Sequence, residues 1–183
     1  MNLLYAGMDE SNHGHYPEIF VLVISKDIED IAKQSKLQKK RSRAEAINLL
    51  SPDSDFRHIV ISQEDRDKLS SPYNVQAVVL AEFIALYSRL EKLIIDGRIM
   101  ESVLDTAELL LPSGVVPPKD IVYMPDADKR FNIVNRADQI AYILFKHYTS
   151  YSGITSNRRY SETLITPNIE RYAYKLMCLG KTI

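Results

Sequence analysis

The chain has 183 residues, 45% of them hydrophobic and 26% charged, with a net charge of −1. One domain is the expectation at that length, and a core of that size needs no staples. The composition excludes whole-chain disorder, and the single cysteine, Cys178, excludes a disulfide framework or a cysteine-built zinc cluster.

The opening MNLLYAGMDE lacks a basic region followed by a long apolar run, and no apolar run reaches the ~18 residues of a membrane span. The expectation is a single cytoplasmic α/β domain over 1–183, with 150–183 as a C-terminal loop and helix. Leu3 to Met8 reads as a buried strand ending at Asp9, and 11–18 (SNHGHYPE) as a tight loop. Ile19 to Ile24 is a second strand, antiparallel to the first because the loop is short. Residues 26–50 have a polar helical pattern that includes the basic run Lys36, Lys39, Lys40, Arg41 and Arg43.

Arg57 to Ile61 is a third strand, and Ser62 is placed to cap a short helix from Gln63. The spacing of Val75, Val78, Val79, Phe83, Leu86 and Leu90 predicts a helix over 74–91 with Asn74 as its N-cap. Leu93 to Asp96 reads as a buried parallel strand closed by Gly97. A loop over 112–118 leads to a fifth strand, Ile121 to Tyr123. A second strong helix runs from Ile133 to Tyr148, with Ala137, Ile140, Ala141 and Leu144 inward. After a polar, loop-like stretch, 168–178 forms a last helix. The predicted fold is therefore a mixed five-stranded sheet flanked by helices. No G-x-G-x-x-G or P-loop sequence occurs.

Acidic residues recur where the predicted strands end: Asp9-Glu10 after the first, Asp96 at the fourth, Asp128 after the fifth. Asp138 lies near the start of the long helix. Open α/β sheets place their sites at such ends. Hard divalent ions such as Mg²⁺ and Mn²⁺ take carboxylate oxygens, and paired metals about 3.5–4 Å apart serve phosphodiester cleavage. Taken singly, each acid has a plainer reading: Asp9-Glu10 as a solvated turn, Asp96-Gly97 as a turn signal, Asp126 and Asp128 as solvent-facing, Asp138 as a first-turn acid. The set, in this order, favours a site.

Other groups carry two readings each. The basic run at 36–43 is either a phosphate track or a solvated helix face. Lys129 and Arg130 either hold a scissile phosphate or neutralise Asp126 and Asp128, and Arg136 is open in the same way. His13 and His15 are proton-shuttle candidates, ligands if the metal is Mn²⁺, or plain loop residues. Tyr148, Tyr151 and Tyr160 are base-stacking candidates or packing residues. Glu82 is an extra site carboxylate or the edge of an apolar stripe, and Cys178 reads as structural.

The order of motifs resembles the type 2 ribonuclease H group. Gly7-Met8-Asp9-Glu10-Ser11-Asn12-His13-Gly14 resembles that family's opening G-[IV]-D-E-A-G-R-G. The helix at 74–91 followed by Leu93-Ile94-Ile95-Asp96-Gly97 resembles its strand ending in D-G. Pro125-Asp126-Ala127-Asp128-Lys129 and then Ala137-Asp138-Gln139-Ile140-Ala141 resemble its K-[AG]-D and A-A-S-I-x-A-K. The resemblance covers roughly residues 3–147. It implies a ribonuclease-H-like fold in which Asp9, Glu10, Asp96 and Asp128 bind two divalent ions, Mg²⁺ or Mn²⁺. It also implies that Asn12, His13 and Gly14, which replace the family's G-R-G, lie against the nucleic-acid backbone. His13 stands where that family has arginine, and Asp138 where it has serine. The chain is similar as well to a second group of ribonuclease-H-like domains, which open D-E-S-G and carry a late A-D-x-[IL]-A helix. By that likeness Asp138, not Asp128, is the last ligand.

The expected function is metal-dependent hydrolysis of phosphodiester bonds in nucleic acid (RNA–DNA hybrid, RNA or DNA). The alternatives are a non-catalytic nucleic-acid or protein-binding module on the same fold, and a metal-dependent phosphatase for small esters.

Overall fold

The structure is a computed structural model that describes residues 3–11, 14–34, 55–87, 89–149 and 158–181. The helical reading of 26–50 therefore falls largely outside the described residues, as do the basic run at 36–43, Asn12, His13 and Tyr151. Six strands form one sheet in the order β5-β4-β1-β2-β3-β6. They are β1 (Leu4–Ser11), β2 (Glu18–Ser25), β3 (Asp55–Ile61), β4 (Leu90–Asp96), β5 (Asp120–Met124) and β6 (Leu164–Ile165). β1 pairs antiparallel with β2, and β2 with β3; β1–β4, β4–β5 and β3–β6 are parallel. The sheet is mixed, as predicted, but it has six strands and not five. β6 is two residues long, too short to show the alternation that marks a strand.

Six α-helices are described: α1 (Gln63–Leu69), α2 (Pro72–Leu86), α3 (Glu101–Leu110), α4 (Asn132–Thr149), α5 (Arg158–Thr163) and α6 (Ile169–Cys178). Among the described residues, no single helix is long and apolar enough to cross a membrane. One sheet face packs Ala6, Met8, Phe20, Leu22, Leu93 and Ile95 against the apolar sides of α2, α3 and α6. The other packs Tyr5, Val21, Val23, Phe56 and Ile94 under the inner side of α4, including the four residues the periodicity chose. The period of two along each strand sorts residues between these cores, so one core lies on each side of the candidate acids.

Ser62 caps α1 through a capping box with Asp65, as the sequence indicates. For α2 the cap is Ser71, with Pro72 in the first turn, and not Asn74. Asn74 is buried instead, donating from Nδ2 to the carbonyls of Leu69 (2.7 Å) and Lys181 (3.0 Å). The helix stops at Leu86 and β4 begins at Leu90, so the apolar run assigned to one helix is shared with a strand. The stretch read as polar loop contains α5 and β6. Cys178 is exposed and packs no core.

The C-terminal segment is tied to β3 through His58, which is fully buried. Its Nε2 lies 2.9 Å from the Tyr148 hydroxyl, and its Nδ1 lies 3.2 Å from Thr163 Oγ1. Burial, and then the charge of His147, lower its pKa from 6.5 to about 4. Below pH 6.5 the unfolded histidine takes up a proton that the folded one refuses until about pH 4. Stability should therefore fall as pH drops through this window, by up to about 3 kcal/mol. Urea unfolding of His58→Gln at a series of pH values should show a flatter profile between pH 6.5 and 4. Parallel profiles for the two proteins would refute the assignment.

Candidate functional site

The parallel register of β1 and β4 runs from Tyr5↔Lys92 to Met8↔Ile95. The next residue on each strand is an aspartate, Asp9 and Asp96. Neighbouring strands lie about 4.8 Å apart, so the two acids stand side by side where β4 ends. β1 itself does not end there. It continues to Ser11, and Asp9, Glu10 and Ser11 pair with Val21, Phe20 and Ile19 of β2. The expectation that β1 stops at Asp9 is thus corrected: its parallel partner stops, while the hairpin carries it on.

Side-chain alternation then separates the acidic pair. Asp9 shares parity with Tyr5 and Gly7 and faces α4; Glu10 shares parity with Met8 and lines a shallow pocket on the α2 side with Gln76, Leu80, Ile95, Asp96 and Arg98. Glu10 thus borders Asp96 from the opposite face to Asp9.

The turn after β5 brings the next acid. Asp96 Oδ1 accepts the backbone N–H of Ala127, and that of Asp128 at 3.4 Å. The chain reaches this position through Asp126, whose left-handed backbone (φ 60°) is one that aspartate tolerates better than most residues. Asp138 arrives on α4. That helix lies directly on β1: a Cβ added to Gly7 would stand 2.7 Å from the carbonyl carbon of Ile133 and 2.8 Å from the nitrogen of Val134. Only glycine allows so close an approach. Asp138 follows one turn further along.

Four aspartates from four segments therefore act on one another. Asp9 is 6% exposed, and its Oδ1 accepts the N–H of Glu10 at 2.7 Å. Its pKa is pushed up to about 9, first by burial, then by Asp96, with Asp138 and Asp128 adding to the rise against the Glu10 N–H. Asp128 is raised as well, by burial and by Asp96 and Asp138, with Lys129 opposing. Asn135, one turn before Asp138 on α4, buries its side-chain oxygen without a hydrogen-bond partner among the described residues. Residues three apart on a helix are surface neighbours.

The basic groups named from the sequence are differently used. Lys129 is ion-paired with Asp126, the plainer of its two readings. Arg136 donates to Asp30 Oδ2 at 3.0 Å and so ties α4 to the 3-10 turn Ile28–Ile31. Arg130 is half-buried, and its carbonyl accepts the N–H of Gln34. Gly14, at φ 82°, donates its N–H to Glu18 Oε1 within the hairpin. His15 is exposed in that hairpin. Glu82 is not a site carboxylate: it accepts the Tyr172 hydroxyl, and with burial it raises that phenol's pKa. Tyr160 is buried with its ring against His147, and Tyr148 bonds His58, so both are packing residues.

A divalent cation fits this donor set in kind and charge. Buried, mutually repelling carboxylates are relieved by a cation, and oxygen is the donor that Mg²⁺ and Mn²⁺ select. Among the described residues, however, no three histidine, cysteine or acid side chains stand at ligating spacing. Holding an ion requires side-chain rotation of Asp9, Asp96, Asp128 or Asp138 towards one point.

The ribonuclease H2 of Pyrococcus horikoshii OT3 aligns with 87% of this chain and 84% of its own, at a TM-score of 0.55 and 19% identity. The chain has a ribonuclease-H-like fold. A ribonuclease HII of Archaeoglobus fulgidus, from a complex with PCNA, aligns over 99% of this chain and 92% of its own at 14% identity and a TM-score of 0.47. No family model matches the sequence, and no curated protein matches it. The ribonuclease-H-like fold expected from the motif order is thus the fold of this chain, as its likeness to the Pyrococcus horikoshii enzyme shows.

Proposed function

We propose that this chain hydrolyses phosphodiester bonds in nucleic acid, with Mg²⁺ or Mn²⁺ held by Asp9, Asp96 and one or both of Asp128 and Asp138, and with Glu10 at the margin. The carrying observation is the convergence of four aspartates around a buried one, on a fold shared with an archaeal ribonuclease H2. Bound divalent ions supply an activated water and a counter-charge for the leaving oxygen. The chain's own contribution is placement. Backbone N–H groups of Ala127 and Asp128 orient Asp96, the Glu10 N–H orients Asp9, and the Gly7 contact sets the depth of Asp138.

The test is cleavage of labelled RNA–DNA hybrid, single-ribonucleotide duplex, plain duplex and single strands, in Mn²⁺, Mg²⁺ or chelator. Metal-dependent cuts that Asp9→Asn loses are expected. Asp128→Asn and Asp138→Asn, assayed side by side, assign the last ligand: the true one should cost about a hundredfold or more, the other about tenfold or less. No cleavage of any substrate by folded protein would overturn the reading. A second reading, a binding module on the same fold, is favoured by the finding that, among the described residues, no three acids stand at ligating spacing. It predicts salt-sensitive association with nucleic acid and no turnover.

A further inference from the structure

The pocket on the α2 side of the strand ends has an apolar floor that includes Met8 and Ile95, and a polar rim of Glu10, Gln76, Asp96 and Arg98. Arg98 lies two residues beyond Asp96, just after the turn at Gly97 (φ 92°), and is exposed. Among the described residues no carboxylate pairs with it, whereas Lys129 is engaged by Asp126 and Arg136 by Asp30. The amide of half-buried Gln76 likewise makes no hydrogen bond among the described residues. An uncommitted guanidinium and amide on the rim of an apolar floor match a nucleotide's chemistry. The planar fork takes phosphate oxygens in pairs, and the amide beside it adds a further donor.

Building on the proposed nuclease reading, we propose that Arg98, assisted by Gln76, holds a backbone phosphate of the nucleic-acid strand beside the one presented to the aspartates. The strand then crosses the end of β4 from the α2 face to the α4 face, and Asp96, which borders both, is where it passes. Arg98 is a positioning residue: it fixes the strand and leaves the reacting bond to the carboxylates. The usual alternative is a solvated arginine following a turn, which contributes nothing measurable to binding.

The test is fluorescence anisotropy of a labelled RNA–DNA hybrid with chelator present, over a salt series, beside steady-state cleavage in Mn²⁺. Arg98→Ala should weaken binding about tenfold and reduce the slope of log affinity against log salt by about one phosphate contact. Arg98→Lys should recover part of the affinity, and Gln76→Glu should weaken it through repulsion. In cleavage, Arg98→Ala should raise KM with kcat nearly unchanged. Arg98 is exposed, so its variants should melt with the parent protein, and a thermal scan checks this. If the parent binds and cuts while Arg98→Ala matches it within twofold, this inference falls and the nuclease reading stands. If the parent neither binds nor cuts any substrate, both fall.

Discussion

Asp9→Asn is expected to abolish metal-dependent cleavage and, at the same time, to make the metal-free protein more stable. The second effect follows from proton linkage. The folded-state pKa of Asp9 is raised to about 9 from an ordinary value of 3.8, so between those values the folded chain holds a proton that the unfolded chain has released. Stability contributed by this group is greatest below pH 3.8 and is lost as pH rises through 9. Near pH 7.5 the aspartate is a net burden, whereas asparagine keeps a carbonyl oxygen for the Glu10 N–H and cannot ionise. The gain should be about 2–4 kcal/mol, or some 5–10 °C in melting temperature for a chain of this size, and should widen from pH 5 to pH 8. Scanning calorimetry at several pH values, with and without Mn²⁺, checks it. Mn²⁺ should stabilise the parent and leave the variant nearly unmoved. A variant less stable than the parent at every pH would show that Asp9 carries no such burden.

Gly7→Ala is the second large effect. The added methyl would meet the backbone of Ile133 and Val134 and the Ile133 Cγ2, all within 2.8 Å. Backbone cannot swing aside as a flexible side chain can, so α4 must lift from β1. Overpacking ordinarily costs about 1–3 kcal/mol, and a backbone collision belongs at or above the top of that range. Denaturant unfolding should show a loss of about 3 kcal/mol or more. Because α4 carries Asp138, cleavage at temperatures where the variant remains folded should also fall. A loss below about 1 kcal/mol would mean that helix and strand separate easily at this crossing.

What could be read from the sequence divides along physical lines. Hydrophobic alternation and helical spacing give the hairpin, the sheet's central strands and the inner face of α4, because burial on a sheet dictates those patterns. The capping box at Ser62 was legible because it is local. The α2 cap was not, since Asn74 is as good a cap by type as Ser71 and only the fold shows that Leu69 and Lys181 claim its amide. The acids at 9, 96, 128 and 138 stood out in the sequence as a set; in the structure Asp96, Asp138 and Asp128 raise the pKa of Asp9, while among the described residues no three acids stand at ligating spacing. The partners were not legible: Asp30 for Arg136, Tyr172 for Glu82 and His58 for Tyr148 lie far away in sequence. Arg98, the proposed phosphate holder, was not singled out, although its position two residues past Asp96 was a signal in the sequence.

The two-residue strand β6 has a consequence for how copies of this protein meet. A seven-residue strand with an open side is a template on which a strand of another chain can zip up. Among the described residues β6 pairs with His58 and Ile59, near the middle of β3, and so interrupts that open border. The border is two strands removed from β1 and its acids. A chain cut before Arg158 would keep every candidate ligand yet lose the pairing of β6 with β3. Covering the edge of β3 and placing the aspartates thus fall to residues at a distance from one another, and a loss of solubility in a truncated chain would say nothing about its carboxylates.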